Sequence, residues 1–156
     1  MNSQKFTPQQ ALPKAKHYCA YQERCHSEVR DKLYGFGLNT KEVDQIISTL
    51  IEENYLNEER FAIQFTGGHF RSKKWGRVKI RYELLSRGIP ENIIPDALKE
   101  IDEAEYLETI RELIIKKQKE IKAGKNLNIR EKIITFVNGK GFESDLVAAT
   151  LNELKI

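Results

Sequence analysis

Apolar residues recur at helical spacing in three parts of the chain. Residues three or four positions apart share one face of an α-helix, so this spacing predicts helices that each have one buried face. Almost no segment shows the alternation of β-branched apolar residues with polar residues that is typical of a strand. The pattern therefore predicts an all-α protein. The three apolar stripes are Val43, Ile46, Ile47 and Leu50; Ile94, Ala97, Leu98 and Ile101; and Val147, Leu151 and Leu154.

Each stripe follows a glycine, and the three glycines mark a repeat. Gly37, Gly88 and Gly141 each end one predicted helix and lead to the next. Glycine accepts the left-handed backbone conformation that ends many helices. The apolar residue after it is expected to fold back onto the preceding helix. The apolar residues that correspond across the repeats are Val29, Ile80 and Ile133; Leu33, Leu84 and Val137; and Leu38, Ile89 and Phe142.

A further amphipathic helix precedes each of these helix pairs. Three helices in each of three units make about nine helices. The prediction is three tandem three-helix repeats, over residues 1–55, 56–102 and 103–156, that stack into an elongated molecule. The alternative is one compact helical bundle in which the repeats are accidental. The apolar residues of the preceding helices are Ala11, Ala15 and Tyr18; Phe61, Ala62 and Phe65; and Leu107, Ile110 and Ile114.

Composition adds that the chain has enough apolar residues for a core and an unusually charged surface. Of its 156 residues, 40% are hydrophobic, and 31% are charged where about a quarter is typical. No run of apolar residues is long enough to span a membrane, and residues 1–18 lack the apolar core of a signal peptide. We therefore expect a cytoplasmic protein, and we separately expect a monomer.

The sequence contains no recognisable catalytic or cofactor-binding motif. It has no phosphate-binding loop, no dinucleotide-binding glycine pattern and no nucleophile elbow. The residues His17, Cys19, Cys25 and His26 are of zinc-ligand type, but their spacing matches no usual zinc site. We expect no enzymatic activity, no metal and no cofactor.

Charge is distributed in blocks although the net charge is only +3. Residues 71–87 and 116–132 are strongly basic, and an acidic segment, residues 91–108, lies between them. The first basic block surrounds Trp75, the only tryptophan, which could pack or bind. A basic stretch with an aromatic residue suits phosphates or an acidic protein surface, whereas a solvated helix face is the alternative. The candidate partner-binding residues are Arg71, Lys73, Lys74, Trp75, Arg77, Lys79, Arg81 and Arg87.

Three segments, Tyr55–Ala62, Lys74–Ile89 and Ser27–Leu33, together resemble segments of one known family, the RecX family, regulators of the bacterial recombinase RecA. Tyr55–Ala62, which reads YLNEERFA, resembles that family's signature, with Asn57 and Glu58 where two aspartates are usual. Lys74–Ile89 resembles its following block, with Arg87 where lysine is common. Ser27–Leu33 resembles an upstream segment. The resemblance covers residues 11–154 and is strongest over 27–101.

The resemblance implies a regulator without enzymatic activity that binds RecA filaments on single-stranded DNA. It implies suppression of RecA strand exchange, ATP hydrolysis and coprotease activity, and a curved row of three-helix modules. It leaves open whether the basic residues contact RecA or single- or double-stranded DNA. The alternatives are a direct DNA-binding helical repeat protein of helix-turn-helix type, and an adaptor that joins other proteins.

Overall fold

The computed structural model of the chain describes residues 5–122 and 128–156. Residues 123–127, which belong to the second basic block and include Lys125, lie outside the described residues, as do residues 1–4 of the first predicted repeat. The described residues form nine helices and no strand, which confirms the all-α prediction. The helices are α1 (Pro8–Tyr21), α2 (His26–Gly35), α3 (Thr40–Glu52), α4 (Glu58–Lys73), α5 (Arg77–Ser86), α6 (Ile94–Leu98), α7 (Glu103–Lys122), α8 (Ile129–Gly139) and α9 (Ser144–Glu153).

The three glycines of the repeat adopt the left-handed conformation that the sequence predicts. Gly37, Gly88 and Gly141 have φ values of 88°, 81° and 97°. The apolar residue after each glycine is buried, as are both matching residues before it. After Gly88, the amide of Ile89 donates to the carbonyl of Leu84 at 3.1 Å, which closes the helix end.

The chain divides into two compact units, of which unit 1 comprises Met1–Gln64 and Leu84–Ile94. In unit 1, α1, α2 and α3 pack against one another. Pro95 belongs to the second unit. It lies in the first turn of α6, where a helix tolerates proline. The core cluster in unit 1 consists of Ala11, Ala15, Cys19, Val29, Leu33, Leu38, Val43, Ile46, Ile47, Leu50 and Leu56.

Unit 2 comprises Phe65–Glu83 and Pro95–Ile156, and in it α7, α8 and α9 pack against one another. The prediction that Leu107 faces the core of this unit is wrong, because 40% of Leu107 is exposed. Tyr106 is buried in its place, on the same face of α7 as Ile110 and Ile114. A tyrosine can occupy this position because its hydroxyl group finds hydrogen-bond partners there.

The division into residues 1–55, 56–102 and 103–156 and the elongated, curved form remain predictions. Among the described residues, no helix is long and apolar enough to cross a membrane.

We expect Gly88→Ala to lower the free energy of unfolding by about 1 kcal/mol, because alanine resists a positive φ. A Cβ at Gly88 would meet no atom within 4 Å, so the effect isolates the backbone conformation. Gly35→Ala is the matched control, since Gly35 has equally open surroundings but lies in α2 without a positive φ. Chemical denaturation measures both variants, and equal stabilities would refute the explanation.

Candidate partner-binding surface

Three cationic residues lie at the C-terminal end of α4 and just after it. Arg71, Lys73 and Lys74, named here the α4 cationic end, are all exposed, and none forms an ion pair with another described residue. The guanidinium group of Arg71 lies against Gly67, so a larger residue at position 67 would displace the end of this flexible side chain. Lys74 ends the helix with a φ of 57°. Cations at a helix C-terminus also interact favourably with the helix dipole. This stabilisation accounts for part of the positive charge at the end of α4 without a binding partner.

Trp75 is half-buried in an aromatic cluster beside the α4 cationic end. Its ring stacks on His69 at 4.6 Å between centroids and lies 6.3 Å from Phe65. The ammonium group of Lys79 lies 4.7 Å from the centre of the Trp75 ring. Trp75 thus packs within unit 2, and its partly exposed ring carries a cation on one side.

Arg77 belongs to an internal ion-pair network. Its Nε donates to Glu143 Oε2 at 2.8 Å, and its Nη1 donates to Glu103 Oε1 at 3.1 Å. The guanidinium carbon lies 3.9 Å from the centre of the Tyr106 ring. The Tyr106 hydroxyl group donates to Glu143 Oε1. The positive charge of Arg77 is therefore compensated within unit 2.

The network shifts the pKa of both central groups. Burial lowers the pKa of Arg77, but the hydrogen bond to Glu103 and the charge of Glu143 outweigh it, so the pKa lies above its ordinary value. Burial raises the pKa of Tyr106, and the hydrogen bond to Glu143 raises it further. Both residues keep their protons at neutral pH.

The N-terminus of α5 is held by neighbouring segments instead of by its own capping side chain. The amide groups of Gly76 and Val78 donate to Lys140 O at 2.8 Å and to Gly141 O at 2.9 Å. Between them, the amide of Arg77 donates to Tyr106 Oη at 2.9 Å. A Cβ on Gly76 would collide with the backbone of Gly141. Glycine at position 76 is thus required by this close approach.

The structure brings only some of the predicted partner-binding residues together at one exposed surface. Lys79 and Arg81 lie half-buried on α5 in unit 2. Arg87 is half-buried in unit 1, where its carbonyl accepts a hydrogen bond from Ser27 at 3.5 Å. Arg81 and Arg87 each already interact within the chain. The outward charge of the basic block therefore lies mainly at the α4 cationic end.

The signature segment Tyr55–Ala62 builds the turn into α4. Leu56 and Ala62 are buried, and Asn57 Oδ1 accepts the amide hydrogen of Arg60 at 3.0 Å. Arg60 in turn donates to Glu23 at 2.6 Å. These contacts give the residues of Tyr55–Ala62 a structural role in the turn that leads into α4.

Sequence reasoning missed the residues that neutralise Arg77. Glu143 lies 66 positions from Arg77, and Glu103 lies in the acidic segment, residues 91–108, for which the sequence predicts no contact with Arg77. No local pattern indicates a contact at that separation. Across residues 5–122 and 128–156, no group of three or more His, Cys, Asp or Glu side chains could hold a metal ion.

We expect Tyr106→Phe to lower the free energy of unfolding by about 1–3 kcal/mol, because it leaves the Arg77 amide and Glu143 without their partner. The pKa of Tyr106 is raised in the fold above its ordinary 10.0, so its contribution is complete below pH 10 and is lost as the pH rises above that. Above about pH 10, the wild-type chain should lose about 1.4 kcal/mol more per pH unit than Tyr106→Phe.

Chemical denaturation of the wild type and of Tyr106→Phe at about pH 9 and about pH 11 measures how the free energy of unfolding of each changes with pH. Tyr82→Phe is the control, because Tyr82 is 67% exposed. Parallel pH dependence in wild type and Tyr106→Phe would contradict the role assigned to this hydroxyl group.

The sequence is similar to proteins named regulatory protein RecX. One from Prosthecochloris aestuarii is 32% identical over 144 residues, which cover 92% of this chain and 93% of that protein. One from Bacillus thuringiensis is 29% identical over 94% of this chain. The chain spans 54% of the length of that Bacillus protein. The family model described as RecX, second three-helix domain, matches residues 57–98.

Solved structures show the same fold. The crystal structure of RecX from Lactobacillus salivarius has a TM-score of 0.83 and 26% identity, and covers 95% of this chain and 96% of its own. A second crystal structure, of regulatory protein RecX, has a TM-score of 0.84 at 21% identity, with 93% of this chain and 71% of that chain covered. The sequence motifs, the helical fold and these similarities lead to one conclusion: the chain belongs to the RecX family.

Proposed function

We propose that this chain is a non-enzymatic regulator that binds RecA nucleoprotein filaments and mainly inhibits RecA ATPase, strand-exchange and coprotease activities in DNA repair and recombination. The observation that carries the proposal is membership of the RecX family over almost the whole chain. The cytoplasm is the proposed location, since it is where RecA filaments form.

The proposed contact with the filament is the α4 cationic end together with the exposed part of Trp75. Arg71, Lys73 and Lys74 are exposed cations without a described ion-pair partner. A filament repeats the phosphates of its DNA and its protein subunits at regular intervals, so several modest contacts on one chain add through multivalency. Inhibition then follows from tighter binding to one filament conformation than to another.

Arg77 is a poor choice for testing this contact. Its reversal would place an acid beside Glu103 and Glu143 and destabilise unit 2. Loss of activity in such a variant would not separate binding from folding. Lys73 and Lys74 avoid this difficulty, because both side chains are exposed and outside the network.

We expect Lys73→Glu/Lys74→Glu to raise the concentration for half-inhibition of RecA ATP hydrolysis on single-stranded DNA by roughly tenfold or more, because two attractive charges become repulsive. The wild-type chain should inhibit at sub-stoichiometric levels. Steady-state ATP hydrolysis by the RecA of the same organism measures both.

The control is Lys41→Glu/Lys99→Glu, which makes the same change of net charge at two exposed lysines that are not part of the α4 cationic end. It should inhibit as the wild type does. Equal inhibition by all three chains would remove the α4 cationic end from the site. No inhibition by wild type at equimolar protein would refute the function itself, and direct DNA binding would replace it.

A further inference from the structure

A second basic and aromatic surface lies in unit 1, outside the predicted site. It is an open groove of about 510 Å³, and α1 and α2 contribute its walls. Lys14, Tyr18 and Tyr21 line it from α1, since positions 14, 18 and 21 share one face of a helix. Lys32 and Phe36 line it from the direction of α2, and Arg24 from the connection between these helices.

The charge on the groove has one sign. Three of its lining residues are lysine or arginine and none is an acid. Within the described residues, Lys14 and Lys32 form no ion pair, and only Nε of Arg24 is hydrogen-bonded, to Tyr18 O at 3.1 Å. The terminal N–H groups of Arg24 are left for an anion. The groove is therefore complementary to a partner that carries several negative charges.

Aromatic rings are interleaved with these cations. The guanidinium carbon of Arg24 lies 3.8 Å from the centre of the Tyr18 ring, and Lys32 Nζ lies 5.0 Å from the same centre. Tyr21, at the end of α1, is 77% exposed, more than any other large hydrophobic residue in the described chain. An exposed ring beside a cationic groove offers a stacking platform for a base.

We propose that this groove binds a short stretch of single-stranded nucleic acid, with a base stacked on Tyr21 and phosphates held by Lys14, Arg24 and Lys32. An acidic peptide would satisfy the cations but would give Tyr21 no stacking partner. A duplex keeps its internal bases stacked on one another, so it offers Tyr21 only the terminal base pairs at its two ends. The groove lies in unit 1, whereas the α4 cationic end belongs to unit 2.

The test uses the full chain, without RecA, and the anisotropy of a labelled oligothymidylate. We expect Tyr21→Ala to weaken binding roughly five- to hundredfold, the range for removal of one base stack, and Tyr21→Phe to bind as the wild type does. In Lys14→Gln/Lys32→Gln, the logarithmic salt dependence of binding should fall by about 0.7 for each phosphate that the variant no longer neutralises.

Matched variants separate the groove from general effects. Tyr82→Ala removes another exposed tyrosine, and Lys41→Gln/Lys99→Gln removes two exposed charges outside the groove. Both should bind the oligonucleotide with wild-type affinity. Circular dichroism checks that Tyr21→Ala keeps its helices, which we expect because the side chain is exposed.

Three competitors distinguish the occupants. Unlabelled oligothymidylate should displace the probe, whereas thymidine monophosphate and a duplex of equal length should do so only at far higher concentration. Polyglutamate that competes as well as the oligonucleotide would overturn the proposal in favour of an acidic protein. Undetectable binding by wild type, or equally weakened binding in Tyr21→Ala and Tyr82→Ala, would also overturn it. Because no recombinase is present, such a failure leaves the proposed function standing.

Discussion

An α-helix begins with amide groups that its own turns cannot bond, and unit 2 depends on how α5 meets this constraint. The amide groups of Gly76, just before α5, and of Arg77 and Val78, its first two residues, donate to Lys140 O, Tyr106 Oη and Gly141 O. One helix start is thereby tied to α7 and to the turn between α8 and α9. Arg77 reinforces the same junction through Glu103 and Glu143. A polar junction thus fixes where α5 begins, and with it the place where α4 must end.

This junction divides the basic block into two kinds of charge. Arg77 is half-buried between two carboxylates and stabilises the fold, since breaking a partly buried ion pair leaves an uncompensated charge. The cations just before the junction, Arg71, Lys73 and Lys74, are exposed, and none of them forms an ion pair with another described residue. Positive residues that are neighbours in sequence therefore lie in different environments, and a count of charge along the chain does not separate them.

The repeat of apolar residues around Gly37, Gly88 and Gly141 could be predicted because each interaction is local. A helix, a positive φ and the residue after it are encoded within about a dozen positions. Tyr106 was missed because its burial depends on a hydroxyl partner on α5 and on Glu143, far along the chain. The position of Arg87 in unit 1 likewise depends on tertiary packing. Local pattern thus predicts which faces are buried, whereas long-range polar pairing decides which charges remain outside.

The close approach of Gly76 and Gly141 has a consequence for exchanging parts between related chains. Neither position has room for a Cβ, and each backbone lies against the segment that carries the other glycine. A chimera that received its last two helices from a relative would need glycine on both sides of the graft. The two turns, 65 positions apart, therefore have to be exchanged together, although nothing in the intervening sequence indicates their dependence.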